Sequence, residues 1–156
     1  MTLSQSKKRA KLTGKGKNHT FLALPHFMMA SPEWARLSGS ALKLLIEIAR
    51  QFSGYNNGDL SIPLSSMKKR GFNSASKLDR CKKELIASRF ILLTRQGGLN
   101  QCSHFAVSWL PIDECKGKLE IAAERNASHA WKNSAVQSRI RINTSSISPD
   151  TGAIAA

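Results

Sequence analysis

The sequence is short of acidic residues and cysteines, and it lacks a long apolar run. No apolar run approaches the roughly 18 residues that a transmembrane helix needs, so we expect no membrane span. No apolar stretch with a small-residue cleavage site follows the basic N-terminal residues, so we expect no signal peptide. The 3 cysteines are widely spaced and form no Cys-x-x-Cys pair, which favours a reduced, cytoplasmic compartment and predicts neither a disulfide nor structural zinc.

The sequence also lacks the motifs of common enzyme classes. The 4 histidines are scattered, and no Ser-His-Asp or Cys-His spacing recurs. There is no Gly-x-x-x-x-Gly-Lys-Ser/Thr loop for ATP-driven chemistry and no group of carboxylates for two-metal nuclease chemistry. One alternative is a metal site made by Cys102, His104 and Cys115 across a predicted strand pair. We therefore predict a protein that is not an enzyme and that needs no cofactor or metal.

Positive charge is in excess, and it is concentrated in two places. The chain has 24 Lys and Arg against 10 Asp and Glu, for a formal net charge of +14 over 156 residues. Residues 1–18 carry six bases and no acid, and residues 63–95 carry nine bases and two acids. The rest of the chain is close to neutral. Because a charge that only aids solubility would be spread more evenly, this distribution indicates an anionic partner.

Residues 1–18 contain too few large apolar side chains to bury a face, and we interpret them as a flexible basic arm. The alternative is a solvated tail that only aids solubility. The bases of this arm are predicted to contact DNA, and they are Lys7, Lys8, Arg9, Lys11, Lys15 and Lys17.

The apolar pattern predicts an α+β domain over 19–115. Its helices are predicted at 32–37, 39–53, 63–70 and 74–88, with a short strand at 59–62 and an antiparallel hairpin over 90–110. Ser31 and Ser38 are the predicted caps of the first two helices, Pro63 opens the third, and Asn73 or Ser74 caps the last one. Residues 116–156 are predicted to be mostly a flexible tail, with one or two helical turns over 119–125 as an option.

The helix predicted over 74–88 has an apolar side and a basic side. At about 100° per residue, Leu78, Cys81 and Leu85 share one side, and the opposite side carries Arg and Lys. Arg and Lys donate to guanine O6 and N7, and Ser and Asn can contact base edges or phosphates. The alternative is a solvated polar face on an ordinary packed helix. The predicted recognition set is Asn73, Ser74, Ser76, Lys77, Arg80 and Lys83.

Two further groups are predicted to contact DNA outside this helix. For the bases at 68–70 the alternative is a purely structural role, complementing the dipole of the helix that they end. An Arg on a Gly-rich hairpin turn can reach a phosphate or a narrow minor groove, although the alternative is a plain turn. The predicted backbone contacts are Lys68, Lys69, Arg70 and Arg89, and the predicted hairpin contacts are Arg95, Gln96, Asn100 and Gln101.

The order helix, strand, helix, turn, helix, hairpin over about 37–111 resembles the winged helix-turn-helix family. In that family the second helix of the motif enters the major groove, and the hairpin, or wing, lies against the adjacent backbone or minor groove. The resemblance implies a three-helix core with an antiparallel hairpin wing that binds duplex DNA.

A more specific resemblance rests on several short runs between residues 21 and 115. They resemble a family of small bacterial helix-turn-helix proteins from phage-like and plasmid-like mobile elements. That family tends to have Gly at the end of the third helix, where this chain has Ser88-Arg89, and we predict that Arg89 faces phosphate instead. The runs are Leu24-Pro25-His26-Phe27-Met28, Ser31-Pro32-Glu33-Trp34, Leu37-Ser38-Gly39-Ser40-Ala41, Asn56-Asn57-Gly58-Asp59-Leu60, Arg70-Gly71-Phe72, Thr94-Arg95-Gln96-Gly97-Gly98 and Trp109-Leu110-Pro111-Ile112-Asp113-Glu114-Cys115.

From these observations we expect a sequence-specific protein that binds double-stranded DNA and regulates transcription of a mobile genetic element. The alternatives are an origin-binding or replication accessory protein on the same fold, an RNA-binding protein and a protein-interaction adaptor. Besides duplex DNA, the candidate partners are a second copy of the chain, as a homodimer, and replication or transcription proteins. A membrane is not among the expected partners.

Overall fold

The computed structural model describes residues 20–133, and within this range the chain is a mixed α+β structure. This confirms the predicted α+β class. The predicted bases of the arm lie outside the described residues, and so does the predicted tail beyond residue 133. In chain order the elements are α1 (His26–Met29), α2 (Pro32–Ala35), α3 (Gly39–Ala49), β1 (Leu60–Ser61), α4 (Leu64–Lys68), α5 (Ala75–Ala87), β2 (Ile91–Arg95) and β3 (His104–Val107), followed by short 3-10 helices at Cys115–Gly117 and Ala130–Asn133.

Serine side chains cap three of these helices, as the sequence predicted. The hydroxyl oxygens of Ser31, Ser38 and Ser74 accept hydrogen bonds from backbone N–H groups three residues further on, at 3.2, 3.2 and 3.4 Å. Of the two candidate caps of α5, the structure therefore uses Ser74. The predicted helix over 39–53 ends at Ala49, because the following backbone makes shorter-range turn bonds instead. No helix within 20–133 is long and apolar enough to cross a membrane.

The strands form one antiparallel sheet in the order β1-β3-β2. The hairpin pairs Ile91 with Val107, and β1 joins the other edge of β3 by pairing Leu60 with Phe105. The register shifts between Leu93 and Arg95, just before the chain leaves β2. Because β3 is the central strand, three of its four residues are buried.

The core lies between α3, α5 and the sheet. The predicted apolar face of α5 is confirmed, since Leu78, Cys81 and Leu85 are 6%, 2% and 0% exposed. Trp109 is buried, and Trp34 is half-buried against the core. The other buried residues of this core include Ala41, Leu44, Leu45, Ile48, Phe72, Phe90, Ile91, Phe105 and Val107. A helix with one apolar stripe must bury it against another element, and this requirement determines which side of α5 faces outward.

The described domain continues beyond residue 115, further than the sequence predicted. Trp131 is 3% exposed, and its ring stacks on that of Phe90 with centroids 5.9 Å apart and an interplanar angle of 7°. The backbone N–H of His129 donates to the carbonyl of Ser108 at 2.8 Å. A tryptophan ring buries enough apolar area to hold a segment that has little regular structure of its own.

The helical turns considered for 119–125 are absent from the structure. This stretch instead lies against β2 and against the segment that follows β3. The N–H of Glu120 donates to the carbonyl of Thr94 at 2.9 Å, and the N–H of Glu124 donates to the carbonyl of Ile112 at 2.9 Å. The backbone therefore satisfies part of its hydrogen bonding through partners that lie more than ten residues earlier in the chain, which local periodicity does not reveal.

Candidate nucleic-acid interface

The outward face of α5 carries the predicted recognition residues. All six of them are exposed, while the opposite face of the helix is buried in the core. The hydroxyls of Ser74 and Ser76 lie 2.8 Å apart at the start of the helix. The exposed set is Asn73, Ser74, Ser76, Lys77, Arg80 and Lys83.

Asp79 organises the charges on this face. Its Oδ2 lies 2.8 Å from Lys83 Nζ and its Oδ1 lies 3.1 Å from Lys82 Nζ. The hydrogen bonds from Lys83 and then Lys82 hold the pKa of Asp79 below its ordinary value, and Asp79 in turn raises the pKa of Lys83. Within residues 20–133 Arg80 has no hydrogen bond or ion pair, so its guanidinium is a free cation near the middle of the face.

Sequence reasoning assigned no role to Asp79, although its spacing contained the signal. An acid three and four residues before two lysines on one helix is the arrangement in which side chains meet. The pairing matters for the site because it ties Lys82 and Lys83 to the helix surface while leaving Arg80 unpaired.

A side-chain contact fixes α5 against the start of α3. The carboxylate of Glu84 accepts hydrogen bonds from the Ser38 N–H, at 2.6 Å to Oε1, and from the Ser38 hydroxyl, at 2.8 Å to Oε2. Ser38 is the cap of α3, so the end of one helix is held to the side of the other. The two residues are 46 positions apart in the chain, and sequence reasoning did not find the contact.

The bases at the end of α4 are exposed, but they are not equivalent. Arg70 Nε lies 3.5 Å from Glu47 Oε2, which is also 3.1 Å from Arg50 Nε. Lys68 and Lys69 have no hydrogen bond or ion pair with any of the residues that the structure describes. Lys68 and Lys69 are therefore the freer candidates for phosphate contact.

A cleft beside Lys69 and Arg70 is also lined by Arg50, a basic residue that the sequence analysis assigned to no site. The cleft has a volume of about 570 Å³, and Arg50 lines it together with Lys69 and Arg70. Arg50 follows α3, so it comes near the other two bases only through the packing of α3 against the chain around β1. Three cations around one cleft, with Glu47 as the acid that pairs two of them, make this an electropositive recess.

Arg89 occupies a position that normally favours glycine. It follows the end of α5 with a φ of 57°, in the left-handed region. The N–H of Phe90 donates to the carbonyl of Leu85 at 3.1 Å, and the N–H of Arg89 donates to that of Ile86 at 3.0 Å, which together form a Schellman motif. Glycine adopts this left-handed backbone most easily, and the chain instead places the exposed, charged side chain of Arg89 there.

The four predicted hairpin residues lie around one narrow turn. Arg95 Nη2 donates to Gln101 Oε1 at 2.7 Å, which joins the end of β2 to the far side of the turn by their side chains. The N–H of Gln96 donates to Glu120 Oε2 at 3.1 Å, so the segment after the domain's last strand supports the base of the turn. Gln96, Asn100 and Gln101 are exposed and Arg95 is half-buried.

The three residues of the alternative metal site, Cys102, His104 and Cys115, differ in exposure and in their hydrogen-bond partners. Cys102 is exposed, Cys115 is half-buried, and His104 Nδ1 lies 2.8 Å from Asp59 Oδ1. Burial, followed by the charges of Asp59 and Asp113, raises the pKa of the Cys115 thiol, which disfavours the thiolate that a metal requires. Over residues 20–133 no group of three or more His, Cys, Asp or Glu is arranged to hold a metal ion.

Comparisons of the chain with protein-family models, with curated proteins and with solved structures found no match. The features that can indicate a function are therefore the geometry and the charge of the chain itself. These are the exposed face of α5, the unpaired bases at the end of α4, Arg89, and the hairpin turn.

Proposed function

We propose that residues 20–133 form a winged helix-turn-helix domain that binds double-stranded DNA, with α5 in the major groove and the β2–β3 hairpin as the wing. The element order supports this proposal, because α3, β1, α4, α5 and the hairpin follow one another as in the winged-helix family. An α-helix fits the width of the major groove, and α5 is long enough to lie along it.

The observation that carries the proposal is the exposed, unpaired guanidinium of Arg80 in the middle of the outward face of α5. Its planar donors match the O6 and N7 acceptors of guanine. Its neighbours on the same helix, Lys82 and Lys83, are paired with Asp79, so Arg80 is the base among these three that is free to read a DNA base. The contact between Glu84 and Ser38 holds this face in one orientation, which lowers the cost of binding.

The protein would act as a transcriptional regulator of a mobile element. This part of the proposal depends on the resemblance of the short sequence runs to small helix-turn-helix proteins of phage-like and plasmid-like elements. A role in origin binding would use the same fold and the same interface. A genome-wide map of the DNA that the protein enriches separates the two roles, since one predicts peaks at promoters and the other predicts a peak at an origin.

The direct test is fluorescence anisotropy of the full chain with a duplex selected from a random pool, a scrambled duplex and a single-stranded RNA of equal length. We expect the selected duplex to bind best, with log affinity falling linearly against log salt at about −0.9 per neutralised phosphate. Removing residues 1–18 should weaken binding to both duplexes alike and flatten the slope. Absence of duplex binding near roughly 50 mM salt contradicts the proposal, and preference for the RNA favours the alternative class.

A further inference from the structure

The apex of the hairpin carries an apolar side chain. Leu99 is 94% exposed, although it lies in a turn where polar residues and glycine are the usual choice. Its neighbours Asn100 and Gln101 are exposed and polar. An exposed leucine at this point makes no core contact, and it is accessible to a partner that approaches the turn.

The apex is narrow and held in one shape. The N–H groups of Gly98 and Gln101 each donate to the carbonyl of the other at 3.2 Å, which closes the turn around Leu99 and Asn100. Asn100 has a φ of 61°, in the left-handed region that Asn tolerates. The side chain of Leu99 is therefore presented by a backbone that is already ordered.

Gly97 keeps the two arms of the hairpin backbone close together next to this turn. A Cβ atom at Gly97 would lie 2.5 Å from Ser103 N and 2.7 Å from Gln101 O. Both are backbone atoms of the opposite arm, so any side chain at Gly97 would force the two arms of the hairpin apart. The end of the hairpin is therefore narrow, and the isobutyl group of Leu99 projects from its apex.

The residues behind Leu99 are hydrogen-bonding groups that suit the minor groove. The side chain of Arg95 is held across the hairpin by its 2.7 Å hydrogen bond to Gln101, and Asn100 lies beside Leu99 in the turn. Proteins that bind the minor groove commonly combine Arg, Asn or Gln at the groove edges with an apolar wedge between base steps. An apolar surface on a partner protein would have no use for the polar residues around Leu99. The net charge of +14 also favours a nucleic-acid partner.

We propose that Leu99 is a wedge that enters the minor groove next to the site of α5 and partly unstacks one base step. This inference rests on the proposed DNA binding and adds a second source of sequence preference. Pyrimidine–purine steps such as TA and CA unstack and kink most easily, so the preferred site should contain one of them at the position of the wedge. Leu99 would then select DNA by its deformability while Arg80 reads a base directly.

The test uses the full chain and a selected duplex that carries 2-aminopurine at each candidate step in turn and fluorophores at its two ends. With the natural chain we expect 2-aminopurine fluorescence to rise at one step and the end-to-end distance to shorten. Leu99→Ala should abolish both signals and lower affinity about tenfold or more, since each methylene group withdrawn from an apolar contact costs about fourfold in affinity. Replacing the flexible step by a stiff A-tract should remove most of the difference between the two proteins.

One control variant separates the wedge from the rest of the turn. Leu99→Met keeps an apolar side chain at the apex and should retain both signals. If the natural chain binds the selected duplex but no step unstacks, and Leu99→Ala binds equally well, the wedge is wrong while DNA binding stands. If the natural chain binds no duplex, the proposed function fails, and the wedge fails with it.

Discussion

The side-chain amide of Asn57 pairs with the backbone of Val107 in both directions. Its Nδ2 donates to the Val107 carbonyl at 3.0 Å, and its Oδ1 accepts from the Val107 N–H at 2.8 Å. The same Nδ2 lies 3.1 and 2.7 Å from the carbonyls of Leu110 and Pro111, and Asn57 is fully buried. The turn before β1 is thereby tied to the end of β3, 50 residues further along the chain.

Replacing Asn57 should be strongly destabilising. Asn57→Ala leaves the Val107 N–H and carbonyl without their side-chain partners in a buried site, and we expect the free energy of unfolding to fall by about 3 kcal/mol. Asn57→Asp should be similarly harmful, because a carboxylate would face carbonyl oxygens where an NH₂ group now donates. Urea denaturation measures both effects.

The control for Asn57 is Tyr55→Ala in the same turn. Tyr55 is 87% exposed, so its loss should change the free energy of unfolding by less than about 0.5 kcal/mol. Equal effects at the two positions would show that the Asn57 bonds do not hold the turn to the sheet.

Arg80→Ala should reduce specificity rather than general adhesion to DNA. A bidentate contact from Arg to guanine contributes about 1–3 kcal/mol of discrimination, so affinity for the selected duplex should fall far more than affinity for the scrambled one. Lys68→Ala and Lys69→Ala are the matched comparison, and each should weaken both duplexes by similar factors. Anisotropy at fixed salt measures the ratios, and circular dichroism checks that α5 remains folded.

The opposite pattern would reverse the assignment of the interface. If Arg80→Ala lowers both affinities equally while Arg95→Ala changes the preferred sequence, then the hairpin reads the bases and α5 only positions the protein.

Asp79→Asn should raise affinity for random duplex and steepen its salt dependence. The substitution removes the charge that pairs with Lys82 and Lys83 and keeps the size of the side chain, so two further cations become available to phosphates. We expect the slope of log affinity against log salt to become more negative by about 1–2. A fall in affinity for the selected duplex alone would instead mean that Asp79 itself accepts a hydrogen bond from a base, as acids do from cytosine N4.

The titration of Asp79 should report the same ion pairs. Because its pKa in the folded chain is lowered, the carboxylate stabilises the helix at pH values above its unfolded-state pKa, and this contribution is lost as the pH falls through the folded-state pKa. Carboxyl carbon chemical shifts measured by NMR should give a midpoint below that of an unstructured Asp. Lys83→Ala should raise this midpoint more than Lys82→Ala, since the hydrogen bond from Lys83 has the larger effect. A midpoint in the natural chain equal to that of an unstructured Asp would show that the pairs do not persist in solution.

Arg89→Gly should change stability and DNA affinity in opposite directions. Relief of the left-handed conformation at a residue with a Cβ should exceed the cost of a more flexible unfolded chain, for a net gain of about 0.5–1 kcal/mol. Loss of a phosphate contact should weaken both duplexes alike and reduce the salt slope by about 1. Denaturation and anisotropy on the same preparation test the two expectations together.

The matched variant is Arg89→Asn, which tolerates the left-handed region but has no charge. It should reproduce the loss of affinity with a smaller gain in stability. Unchanged affinity in both variants would exclude Arg89 from the interface and leave only its conformational cost to be explained.

Much of the fold could be predicted because its signals are local. The serines before α2, α3 and α5 bond to N–H groups only three residues away, so the starts of these helices can be inferred from short stretches of sequence. The apolar stripe of α5 follows from helical periodicity, and it correctly separated the buried face from the exposed one.

The parts that could not be predicted depend on residues far apart in the chain. The contact of Glu84 with Ser38, the bonds of Asn57 and the stacking of Trp131 on Phe90 all join residues more than 40 positions apart. Nothing in the neighbourhood of Trp131 marks it as a core residue, since the sequence around it is rich in small and polar residues. The domain was therefore predicted to end near residue 115.

By itself the sequence determined the α+β class, the starts of the helices and which side of α5 carries the bases, because hydrogen bonding at helix ends and apolar periodicity act within a few residues. Only the tertiary structure decided how those bases differ. The fold brings Arg70 Nε to 3.5 Å from Glu47 Oε2, and it brings Arg50 to the cleft beside Lys69. The chain folds around a shared core, and long-range packing of that kind brings together side chains whose separation in the sequence carries no signal.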